Sequence, residues 1–266
     1  MAARYKTSKQ SYVVGSGKGG VGKSTVAVNL AIALAKQGLS VALLDADIYG
    51  PSIPIMLGLR RLSTRTVQDA EGRQRFIPFN KFGIQAISIG FFLEESRAVA
   101  WRGPMLHGIL EKMIAEVDWG SDLDLLLIDL PPGSGDVPIS LSKLLHIDGA
   151  LVVCTPQEVA MLDAIKAINA FEQLDIPLLG VIENMAGFTV PGTQDTYHIF
   201  GQGKAEELAR RFNTRLLGSI PLISAIRRGG DEGYPAAFHH GADQGGRYFE
   251  ELAETVKNIY GVNACR

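Results

Sequence analysis

Gly15-Ser16-Gly17-Lys18-Gly19-Gly20-Val21-Gly22-Lys23-Ser24-Thr25 is the stretch whose reading decides the fold. The apolar run Tyr12-Val13-Val14 precedes it, and Val26 to Leu34 follows, so the order reads strand, glycine-rich turn, helix. From Gly17 onward the residues fit G-x-x-x-x-G-K-S/T, a pattern whose backbone N–H groups cradle phosphate oxygens. Glycines keep side chains out of that cradle, and the helix N-terminus adds the positive end of its dipole. Gly17, Lys18, Gly19, Gly20, Val21, Gly22, Lys23, Ser24 and Thr25 are therefore the expected binding residues for a nucleoside triphosphate, taken as ATP. Lys23 is placed to reach the terminal phosphates and Ser24 to hold magnesium.

The rest of the chain agrees with one α/β domain built outward from that turn. A length of 266 residues suits one large α/β domain or two small ones. The net charge of −2 gives no support to a polyanion-binding role, so nucleic acid is not an expected partner. Two cysteines, Cys154 and Cys265, argue against a disulfide scaffold and suit a reducing, cytoplasmic setting. No apolar run approaches the roughly 20 residues that span a bilayer, so no membrane association is expected. Met1 to Gln10 has basic residues without an apolar segment and reads as a flexible tail, leaving 11–266 as the domain. With no linker or break in composition, the expected fold is a single doubly wound, mainly parallel sheet with helices on both faces.

Further strands bring carboxylates towards the loop. Val41 to Leu44 reads as a buried strand ending at Asp45-Ala46-Asp47, and open α/β sheets bind ligands at such ends. Asp47 is a candidate to orient an attacking water or to meet magnesium through water, although strands also end in aspartate for local reasons. Leu123 to Ile128 leads into Asp129, which would serve the magnesium shell. Leu130-Pro131-Pro132-Gly133-Ser134-Gly135-Asp136 follows as a mobile loop able to sense a γ-phosphate. Residues 60–82 read as a surface insertion, with Arg73–Phe79 and Gly83–Phe92 as two strands about a turn; its arginines are solvated or meet an acidic partner. Helices are expected from Trp101 to Val117 and from Glu158 to Leu174, with strands over Asp148–Thr155 and Pro177–Ile182. The last three elements expected are a helix (Lys204–Phe212), a strand (Leu216–Ile220) and a helix (Gly246–Tyr260).

Several strings resemble a known family. K-G-G-x-G-K-S/T is similar to the deviant Walker A box of the MinD/ParA/Mrp class of P-loop ATPases. D-A-D-I-Y-G-P-S-I-P from Asp45, W-R-G-P-M from Trp101 and E-N-M from Glu183 resemble the Mrp branch, also called ApbC. The resemblance implies a homodimer that sandwiches two ATP molecules, with Lys18 crossing to the partner's nucleotide; a solvated lysine at the loop mouth is the alternative. It makes Lys18, Lys23 and Asp47 the catalytic set, with Asn184 reading the adenine edge, a contact an asparagine can make with paired donor and acceptor. Pro221 is expected to pack on the base. It also implies transfer of an iron–sulfur cluster to client apoproteins, through a C-x-x-C motif shortly after E-N-M. Here Val190 and Thr193 stand at those two positions, and neither is a thiolate donor. Cys154, Cys265, His198, His239 and His240 are the remaining candidate ligands, and cluster binding stays doubtful. A MinD/ParA-like positioning switch on a membrane or DNA is the alternative output. The acidic face of the last helix, with Glu250, Glu251 and Glu254, speaks against docking on anionic lipid.

Overall fold

The apolar run before the glycine loop becomes the middle of a sheet. In the computed structural model, which describes residues 4–92, 103–239 and 245–261, Val13 and Val14 are fully buried. The first half of the chain runs β1 (Gln10–Gly15), α1 (Lys23–Lys36), β2 (Val41–Asp45), α2 (Ile53–Met56), β3 (Arg65–Gln68), β4 (Gln74–Ile77), β5 (Phe79–Lys81), β6 (Ile84–Ser88), α3 (Gly103–Ala115) and β7 (Leu125–Asp129). It continues through α4 (Asp136–Leu144), β8 (Gly149–Cys154), α5 (Glu158–Gln173), β9 (Leu178–Asn184), β10 (Phe188–Thr189), β11 (Thr196–Tyr197), α6 (Lys204–Arg211), β12 (Leu216–Ile220), α7 (Ser224–Glu232) and α8 (Gly245–Tyr260).

Eight strands lie in the order β12-β9-β8-β1-β7-β2-β6-β5. All pair in parallel except β5 with β6, which form an antiparallel edge. Strands covered on both faces carry continuous apolar runs, here Tyr12 to Val14 in β1, Val41 to Leu44 in β2, Leu125 to Ile128 in β7 and Ala150 to Val153 in β8. Helices α1 and α8 pack together, while α3 packs on α4 and α5 on α6. The fold is the expected α/β type: a large, mostly parallel sheet with helices.

The insertion is more regular than its sequence suggests. Arg65–Gln68 pairs with Gln74–Ile77 as a separate antiparallel hairpin, and β5 turns into β6 at Phe82-Gly83, both with positive φ. Arg73 and Arg75 pair with Asp69, and Arg73 also with Glu71, so those two arginines are engaged within the hairpin. Residues 5–10, expected as tail, carry contacts to the domain. The Tyr5 N–H donates to the Leu144 carbonyl at 2.7 Å, Lys9 pairs with Asp124 at 2.7 Å, and Gln10 opens β1. The expected division at residue 10 therefore does not coincide with a break in contacts. Among the described residues, no helix is long and apolar enough to cross a membrane.

Candidate functional site: a phosphate cradle above buried carboxylates

The loop between β1 and α1 closes on three glycines placed where a side chain would be strained or lack room. Gly20 and Gly22 sit at φ +83°, in the left-handed region, and Gly22 is the N-cap of α1. No side chain caps that helix, so its first-turn N–H groups have no side-chain partner. Gly17 lies so close to α5 that a Cβ there would stand 2.0 Å from the Asp163 backbone carbon. The Ser16 hydroxyl donates to the Lys18 carbonyl at 3.0 Å, and the Gly133 N–H donates to the Ser16 carbonyl at 2.8 Å. The second contact ties the 130–135 loop to the cradle.

Sheet register places the acidic groups beneath. Asp45 pairs in register with Asp129 across β2 and β7, and Asp47 follows two residues beyond the end of β2. Lys23, only 6% exposed, donates to Asp129 Oδ1 at 2.7 Å and to Ser24 Oγ at 3.2 Å, and lies 3.6 Å from Asp47 Oδ2. Burial pushes the Asp129 carboxyl above its ordinary range, and the Lys23 charge opposes that shift. Among the described residues, Asp129 Oδ2 is buried with no hydrogen-bond partner. An orphaned carboxylate oxygen beside Ser24, at the mouth of a phosphate cradle, fits a magnesium shell made by Ser24 directly and by Asp47 and Asp129 through water. Asp47 Oδ1 accepts from the Tyr49 and Gly50 N–H groups at 3.2 Å each, which fixes its side chain.

Asp45 is the carboxylate that sequence reading passed over. It is fully buried and accepts from Asp47 N, Ser88 Oγ and Ile53 N. Burial, with repulsion from Asp129, pushes it up to about 8. Lys18 lies half-buried, with its Nζ 3.4 Å from Gln157 Oε1 at the start of α5.

Two adjoining cavities open here. One of about 250 Å³ is lined by the loop, Asp47 and Pro132. The other, of about 470 Å³, is lined by Gly22, Asn184, Pro221, Met185 and Ile226 among others, and is mostly apolar. A phosphate cradle opening into an apolar slot has the outline a nucleotide needs. Asn184 Nδ2 donates to the Val21 carbonyl at 2.8 Å, so the expected base-reading residue also braces the loop. The slot draws on α7, through Ile226, which the sequence reading left without an element.

The cluster positions are different in kind. Val190 and Thr193 stand on the turn between β10 and β11, where Thr193 N–H and Oγ1 both donate to the Val190 carbonyl at 3.1 Å. Cys154 is 2% exposed, and burial, aided by Glu183, pushes its thiol up to about 12. His198 Nδ1 lies 3.1 Å from the Ala186 carbonyl, and His239 packs against Tyr234. Among the described residues no group of three or more His, Cys, Asp or Glu could hold a metal ion. Trp101, Arg102, His240 and Cys265 lie outside the described residues.

Known proteins agree with this geometry. Residues 7–257 match the family model described as ParA, NUBPL iron-transfer P-loop NTPase. An "Iron-sulfur cluster carrier protein" of Aquifex aeolicus is 45% identical over 252 residues, covering 94% of this chain and 68% of that one. An "Iron-sulfur protein required for NADH dehydrogenase, mitochondrial" of Arabidopsis thaliana is 43% identical over 249 residues, covering 93% and 78%. The solved nucleotide-binding protein of Archaeoglobus fulgidus in complex with ADP matches at TM-score 0.76 and 38% identity, covering 89% of this chain and 90% of that one. MinD from Pyrococcus horikoshii complexed with Mg-ADP matches at TM-score 0.71 and 23% identity, covering 95% and 98%, a likeness of fold. By its own loop and by these matches, the chain belongs to the NUBPL iron-transfer P-loop NTPases of the ParA family.

Proposed function

We propose that this chain binds ATP with magnesium in the β1–α1 loop and hydrolyses it as a homodimer serving iron–sulfur protein assembly. The observation that carries the reading is Lys23, held between Asp129 and Asp47 at the mouth of a glycine cradle. On nucleotide binding Lys23 leaves the carboxylates for the terminal phosphates. Asp47, fixed by two backbone N–H groups, orients the water that attacks the γ-phosphate. Magnesium, when bound, neutralises phosphate charge. Lys18 supplies a cation to the nucleotide of the second subunit, which requires it to leave Gln157.

A second copy of the chain is the partner that best accounts for the apolar residues around this edge. Tyr49 is 81% exposed, and Val159, Leu162 and Met105 are at least half exposed. Tyr49 follows Asp47, Val159 and Leu162 open α5, and Met105 opens α3, so chain direction puts all four at the nucleotide edge of the sheet. Client apoproteins are the remaining expected partners, with the cytoplasm as the setting.

The cluster enters as cargo. The relatives named carriers suggest the pathway, but the described residues offer no exposed thiolate pair for the cargo itself. The role is therefore assigned as nucleotide-driven assistance, with the cluster held by other groups. The positioning-switch reading gains nothing from α8, whose apolar residues Phe249, Leu252 and Val256 are buried against the domain. Calorimetry with magnesium–ATP on protein purified without oxygen tests the nucleotide half, and absence of heat from folded protein refutes it. Reconstitution with iron and sulfide tests the cargo half. Stoichiometric iron with visible absorbance would overturn the assignment of the cluster to other groups.

A further inference from the structure

Asp45 lines neither cavity, yet it is wholly buried within the same layer of the sheet. Three donors converge on it. The Asp47 N–H reaches Oδ1 at 3.1 Å, and the Ser88 hydroxyl and Ile53 N–H reach Oδ2 at 2.8 and 3.4 Å. The first and last of these mark the two ends of the 47–53 loop, where it leaves β2 and where α2 begins. Ser88 is the Cα partner of Asp45 in register, is itself fully buried, and accepts from the Gly90 N–H at 3.0 Å. One carboxylate thus pins both ends of the loop that carries Asp47 to the adjacent strand β6.

We propose that Asp45, anchored by Ser88, is a positioning residue that fixes Asp47 for hydrolysis while taking no part in holding nucleotide. The proposal rests on the reading of Asp47 as the water-orienting group. A carboxyl suits the task because its two oxygens accept on separate sides, Oδ1 from the Asp47 N–H and Oδ2 from Ser88 and the Ile53 N–H. A catalytic group displaced by about 1 Å can lose roughly 10²-fold in rate without any change in what binds.

The test compares Ser88→Ala, Asp45→Asn, the double variant and Asp47→Ala, each by ATP turnover, magnesium–ATP calorimetry and melting. The expected result is a dissociation constant within about twofold of the parent in Ser88→Ala, Asp45→Asn and their double variant. The kcat should fall about 3–10-fold in Ser88→Ala and about 10–100-fold in Asp45→Asn. The double variant should be no slower than Asp45→Asn, because the two residues act as one unit. If Asp45→Asn fails to fold, Ser88→Ala decides alone. Unchanged kcat in Ser88→Ala and Asp45→Asn, with Asp47→Ala inactive, overturns the positioning role and leaves the reading of Asp47 intact. So does a kcat that falls only in step with affinity or with the folded fraction. Normal turnover by Asp47→Ala removes the reading of Asp47 and the positioning role with it.

Discussion

Lys23 is a buried cation whose two carboxylate neighbours have no other cation within bonding reach among the described residues. Lys23→Ala should abolish magnesium–ATP binding in calorimetry. It should also destabilise the nucleotide-free protein by roughly 3–5 kcal/mol in urea unfolding, since removing one partner strands the other buried. Cys154 gives a second residue-scale prediction. Its folded thiol holds its proton more tightly than an unfolded one, so this group favours the folded state below the ordinary thiol range. That contribution is lost as pH rises towards about 12. In a Cys265→Ser variant, Cys154 should resist a thiol-specific disulfide reagent at pH 8 until denaturant is added; rapid native labelling would contradict its burial. That Lys23, Ser24, Asp47 and Asp129 come together was legible in sequence because the loop pattern fixes the first two and apolar strands lead to the others. Asp45 was not, although it stands in the same string. Its task depends on which strand lies beside β2, and only the pairing with β6 places Ser88 against it.

Among the elements, the β1–α1 turn tolerates least. Gly22→Ala would force an alanine to φ +83° and put its Cβ 2.1 Å from Asn184 Nδ2. The left-handed strain alone costs about 1–2 kcal/mol, and the displaced Asn184 adds to it. Thermal melting should show that loss, and nucleotide affinity should fall with it. A variant that melts and binds as the parent would mean the turn is looser than described. The buried parallel strands were readable because both faces are covered and each carries an unbroken apolar run, such as Val41 to Leu44 and Leu125 to Ile128. What escaped has physical reasons too. β3 is exposed along its whole length and has no alternation to betray it. α4 begins inside a string of prolines and glycines that reads as a turn, and α7 contains Gly229 and Gly230, poor helix formers, yet packs against α2.

At the scale of the whole molecule, Tyr49, Met105, Val159 and Leu162 leave apolar surface uncovered around the sheet edge that carries the cradle. Sedimentation or light scattering should find a dimer with magnesium–ATP, and Asp47→Ala should stay dimeric longest because it holds ATP without consuming it. A monomer under all nucleotide conditions would refute the sandwich. The resting contact between Lys23 and its carboxylates has one more consequence. Lys23 is already paired with carboxylates, so phosphate binding is a swap of counter-ions and not a simple capture of an anion. Metal-free ATP would leave Asp47 and Asp129 facing a polyanion with nothing between them. Chelating the metal should therefore weaken affinity far more than raising sodium chloride does.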